Sequence, residues 1–185
     1  PVSRGHSDPY RLPATVTHGR PGERTLRVGE IIDTKTGRRL DEAALTALLG
    51  RYDVIHVGEV HGSRPHQLWL AKIVALAAKA KRPLAVGVEW FPRSVQPTLD
   101  KLLPLRLPAG ERAFVEGVGW YRNWGHDYRP YRPIIRTIAK HRLPMIALNA
   151  PRKLAKAVAR HGVDRLPPAL AKLLPPMDLR RGTGH

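Results

Sequence analysis

The 185-residue chain contains no cysteine. Within these residues that excludes disulfides, thiolate metal sites, iron–sulfur clusters, a cysteine nucleophile and lipid attachment through cysteine. No run reaches the roughly 18 apolar residues that a membrane-spanning helix needs. Neither GxGxxG nor GxxxxGK[ST] occurs, so the common nucleotide-binding fingerprints are missing. There is no internal repeat, and no charged-then-apolar leader is visible. Pro1 is not a start residue, so the expectation is that an upstream end was processed or omitted. Acidic residues are scarce as well: 15 Asp and Glu stand against 32 Lys and Arg, a net charge of +17 with a pI near 11.2. The excess is uneven, because from Gly119 onward there are 14 basic residues and three acidic ones. Such charge steers anionic partners, namely nucleic acid, phospholipid or a small molecule carrying carboxylates or phosphates, but it does not define a fold.

What is present is ordinary for a globular protein: 42% hydrophobic and 25% charged residues, in a length that suits one domain with a real core. Residues 1–40 read as an extended arm followed by a short hairpin, with turn chemistry around Thr36-Gly37. Residues 41–166 carry the organised part, and 167–185 a loose basic tail rich in Pro and Gly. Asp41 caps a short helix that Gly50 ends. The run Asp53–Glu59 is β-rich and apolar, and Pro65–Lys81 has a broad apolar helical face. Further strands are expected at Leu84–Glu89 and Pro144–Asn149, with helices over 94–103, 130–141 and from Pro151 to Gly162. Strand and helix alternating at this spacing predict βαβ units: an α/β fold with a parallel sheet and helices on both faces, a three-layer core.

In open parallel sheets ligands sit beyond the carboxyl ends of the strands. Three polar residues fall there: Glu59, Glu89 and Asn149. A carboxylate ending a covered strand needs a cation, a donor or a substrate to meet. The loop after the first expected strand adds imidazoles, in Gly58-Glu59-Val60-His61-Gly62 and then His66. Glu59 and His61 share a side if the strand runs on by one residue. Two Glu and two His could bind a divalent metal through Glu59, His61 and Glu89, or work as acid and base around a water. A second constellation spans 119–132, where residues 120–131 hold five of the chain's eleven aromatics beside several arginines. Flat rings and guanidiniums suit a planar anion, and equally a single nucleic-acid strand. Trp120 and Trp124 read as packing; His126, Tyr128 and Tyr131 are the more available polar groups.

Four ordered blocks, VGEVHGSRPHQ (57–67), GVEWFPRSVQPTLD (87–100), WYRNWGHDYRPYRPII (120–135) and IALNAPRKL (146–154), closely resemble the ChaN family of bacterial iron-regulated, haem-binding proteins. Its relatives include erythromycin esterase-like hydrolases and Tiki/TraB-type proteins, which use a similar Gly-x-x-His loop and a Glu after the next strand. The resemblance implies an α/β core with a polar site at the strand ends, haem binding in iron uptake, a homodimer, tyrosine ligation of iron and a place at the cell envelope. Glu59, His61, His66 and Glu89 match the core motif. Chains of that family usually run on past where this one stops, so a C-terminally shortened chain is expected.

Two functions follow as expectations. The first is a haem- or iron-handling protein in which Tyr131 or Tyr128 would ligate ferric iron as a phenolate, an arginine nearby favouring ionisation, with His126 and Arg129 completing the haem-binding set. The second is an esterase-like hydrolase in which Glu59 or Glu89 activates water while His61 or His66 shares the proton or holds a metal. Nucleic-acid binding rests on charge alone and would be non-specific.

Overall fold

The computed structural model describes residues 15–16, 26–27, 29–80, 82–103 and 110–174. The chain forms two compact units that divide after Asp53. In the first, β1 (Thr15–Val16) pairs antiparallel with β2 (Leu26–Arg27), and β3 (Ile31–Ile32) with β4 (Arg39–Leu40). The β3–β4 turn is built by Asp33. Its carboxylate accepts from the Lys35 amide and the Thr36 hydroxyl, and its carbonyl accepts from Gly37, whose φ of +66° favours glycine. Helix α1 (Glu42–Leu49) starts on the Asp41 carboxylate, which accepts the Ala44 amide at 2.7 Å. This helix lies in the same unit as the hairpin.

The second unit contains α2 (Arg64–Lys79), β5 (Val86–Pro92), a 3₁₀ turn (Arg93–Val95), α3 (Gln96–Leu102), α4 (Glu111–Gly117), α5 (Trp120–Asn123), α6 (Arg132–Lys140), β6 (Met145–Asn149), α7 (Arg152–His161) and α8 (Pro168–Ala171). Proline lies in the first turn of α2, α3 and α6, where its missing N–H is not needed. β5 and β6 run parallel with Val86 opposite Met145 and Val88 opposite Ala147, and the register slips before Pro92 meets Asn149. The alternation of these strands sends Val88, Trp90, Met145 and Ala147 into the core. There they meet Ile134, Ile135 and Ile138 of α6 and the rings of Phe91, Phe114, Trp120 and Tyr131. Each such side chain contributes about 1.5–3 kcal/mol on burial. α2 packs along α6. The outer edge of β6 is closed by a side chain: Gln96 donates to the Met145 carbonyl at 2.9 Å and accepts the Ala147 amide at 2.7 Å, as a neighbouring strand would.

Two expectations change. Residues 54–60 take part in no ladder, and Val54, Ile55 and Val57 are 69%, 38% and 40% exposed. β propensity makes a strand only where a partner edge is in register, and among the described residues none meets this run. Among the described residues the parallel sheet therefore has two strands. Its second face presents Ile146 and Leu148 to solvent, with Leu148 lying over Gly87. Among the described residues the architecture is α/β with a small parallel sheet. The tail is also more regular than expected at its start, since 168–171 form α8; residues 175–185 and most of the N-terminal arm lie outside the described residues.

Candidate functional site

The loop entering α2 is a tight turn. The Ser63 amide donates to the Val60 carbonyl at 3.0 Å, and Gly62 sits third in the turn with φ +74°, which a side chain would strain. Two side-chain bonds pin it: the Gly62 amide donates to the distant Tyr131 hydroxyl at 2.9 Å, and the Val60 amide to the nearby His66 Nδ1 at 2.8 Å. This places His61 at the crest and Glu59 beneath it. One Glu59 oxygen meets His61 Nδ1 at 2.6 Å, and the other accepts from Gln67 Nε2 at 2.8 Å. Gln67 is fully buried in the first turn of α2. A carboxylate can only accept, so its ionised form fixes the Gln67 amide with nitrogen inward and gives His61 the Nδ1–H tautomer, leaving Nε2 as the donor-atom lone pair.

Glu89 reaches the same point from the open face of β5. Its oxygen lies 3.7 Å from His61 Nε2, too far for a hydrogen bond. Glu59, His61 and Glu89 each present one ligand atom, all within 4.8 Å of one another. The Glu59 side chain is 9% exposed, while those of His61 and Glu89 are 45% and 57% exposed. Behind His61 stand the rings of Trp124, 4.6 Å away, and His126, 5.3 Å away. Their loop is tied down by the Trp120 indole, which donates to the His126 carbonyl at 2.7 Å. Asn149 closes the site from below: its side-chain amide donates to the Glu89 carbonyl, which the slipped register leaves out of the ladder.

The expected residues thus divide. Glu59, His61 and Glu89 converge, with His126 against His61. His66 is turned to the loop backbone through Nδ1. Arg129 pairs with Asp127 at 2.7 Å. Tyr128 is buried with its hydroxyl facing Glu111, and Tyr131 is buried with its hydroxyl holding Gly62. For both phenols the net shift is upward. Burial and then the Glu111 charge push the Tyr128 phenol up, outweighing Arg132 and Arg136. Burial likewise raises Tyr131, although the Gly62 amide and Trp124 pull it down. Gln67 and Trp124 were missed as site residues. The one available signal for Gln67 was a polar residue in the first turn of a helix immediately after the His loop.

A parallel-strand α/β protein with an imidazole bonded to one carboxylate and facing a second, which rises from the open face of β5, is the class these features define. The family model described as haem-binding uptake, Tiki superfamily, ChaN matches residues 45–182, and the chain belongs to that family. No curated protein and no solved structure matches the chain.

Proposed function

We propose that this chain binds haem in iron or haem uptake, with His61 Nε2 as the donor that would hold the iron. One observation carries the reading: Glu59 holds His61 by Nδ1, so that Nε2 faces outward from a half-exposed ring. A carboxylate on the far nitrogen fixes ring orientation and strengthens an imidazole as a ligand. This donor set fits the group that the family description implies. Haem, when bound, would supply an iron centre that an imidazole can ligate. Glu59 keeps the tautomer, Gln67 keeps Glu59, and Trp124 with His126 offers an aromatic wall to a flat ligand. The net charge of +17 favours the approach of propionates. Tyr131, in this reading, shapes the loop and does not ligate. Titration with ferric haem should give a saturable Soret shift that His61→Ala removes. An unchanged spectrum in His61→Ala would rule His61 out.

A second reading rests on the same three atoms. Two carboxylates and one imidazole within 4.8 Å suit a divalent ion, which would make the chain a metal-assisted hydrolase with the exposed Glu89 as water-activating base. Elemental analysis of the purified protein separates the two. Stoichiometric zinc or manganese, lost in Glu89→Gln, supports the hydrolase, and its absence beside a haem Soret band rejects it.

A further inference from the structure

Helices α4, α5 and α6 line an open groove of about 690 Å³ that shares no residue with the Glu59 cluster. That volume is in the range of small-molecule sites. Its apolar surface comes from Val115 and the rings of Trp120, Tyr121 and Tyr128. Trp120 and Tyr128 are buried and form its floor, whereas Tyr121 stands 61% exposed at the lip.

The charges around it do not cancel. Arg112 is paired with Glu116 at 2.7 Å, and Glu111 accepts from Arg132 at 2.6 Å and Arg136 at 3.0 Å. Among the described residues no carboxylate pairs with Arg122. Three guanidiniums therefore line the groove against two carboxylates, an excess of one positive charge located on Arg122. Gly119, with φ +59°, leaves open the space beside the exposed Arg122 side chain, whose Nη2 lies 2.9 Å from where a Cβ on it would stand. A flat ring at the lip, an aromatic floor and one uncompensated guanidinium complement a flat ring carrying one carboxylate.

We propose that the groove between α4, α5 and α6 binds a planar aromatic monocarboxylate, its carboxylate on Arg122 and its ring against Tyr121. The site is separate from the one built on His61. The test uses the full chain and 2-naphthoate, with 2-naphthamide as the neutral isostere, followed by isothermal titration calorimetry. Naphthoate should bind saturably with one equivalent. Naphthamide, and naphthoate to Arg122→Met, should each bind about tenfold more weakly, the effect of losing one charge-assisted pair. Tyr121→Ala should weaken naphthoate without affecting folding, because the ring is exposed. The ferric-haem titration of Arg122→Met should match that of the unaltered chain. Equal binding of acid and amide, no effect of Arg122→Met, or no saturable binding at millimolar concentration overturns the proposal. A haem titration that weakens in Arg122→Met in step with naphthoate overturns the separateness of the groove, whereas loss of haem binding confined to His61→Ala bears only on the haem reading.

Discussion

Tyr131→Phe separates two roles that one phenol could play. The ring is fully buried, with its centroid 5.3 Å from Trp90 and 5.2 Å from Trp120, and phenylalanine keeps both contacts. Only the hydroxyl is lost, and with it the acceptor for the Gly62 amide at 2.9 Å. A neutral hydrogen bond removed from a partly buried partner costs about 1–2 kcal/mol. At about 2–4 °C per kcal/mol for a chain this long, Tm should fall by about 2–8 °C. Urea unfolding followed by tryptophan fluorescence reads the change well, since Trp90, Trp120 and Trp124 all lie near the altered ring. Haem affinity should fall only as far as the loosened loop lets His61 wander, and the Soret position of the complex should not move. If the Soret band shifts or disappears while stability is unchanged, the phenol is an iron ligand and the loop-clamp argument is wrong.

Gln67→Met removes the donor to Glu59 Oε2 while keeping the buried volume, so Glu59 is held less firmly and haem affinity should fall about 10- to 100-fold in a Soret titration. Glu111 predicts an acid limb. Burial pushes its carboxyl up, but hydrogen bonds from Arg136 and Arg132 outweigh that and hold it below its ordinary 4.5. A depressed folded pKa contributes stability that is fully present above the unfolded value and lost as pH falls through the folded one. Stability should therefore decline below about pH 4.5, and Glu111→Gln should flatten that decline in denaturation curves collected across the acid range.

The sequence pattern identified the elements whose determinants are local. The apolar stripe of α6 at Ile134, Ile135 and Ile138, the Asp41 cap, the prolines that open α2 and α6, and the apolar runs of β5 and β6 are all decided within a few residues. The meeting of Glu59, His61 and Glu89 was also legible, because carboxylates at the ends of apolar runs rarely lack a reason. What failed was non-local. Val54, Ile55 and Val57 have the composition of a strand, but a ladder needs a second edge that composition does not supply. The Tyr128 phenol is pushed up first by burial and then by Glu111, a residue 17 positions away that α4 brings near its hydroxyl. The clamp between Tyr131 and Gly62 spans 69 positions. Asn149 ends its strand as expected, but spends its amide on a backbone carbonyl exposed by a register slip that no sequence rule announces.

Burial divides the labour of the two carboxylates at His61. Glu59, 9% exposed and bonded through both oxygens, has no freedom to carry a proton to or from a substrate without releasing either Gln67 or the imidazole. Its place makes it the residue that orients. Glu89, 57% exposed and beyond hydrogen-bond reach of Nε2, is the one free to accept a proton or a cation. Haem iron and a divalent ion would both claim the same His61 lone pair, so they should compete. If His61 Nε2 is the donor, saturating zinc must raise the apparent haem Kd in the unaltered chain, and Glu89→Gln, which weakens only the ion, must relieve that inhibition. Zinc that binds stoichiometrically yet leaves the haem titration untouched would show that haem is held somewhere other than at His61.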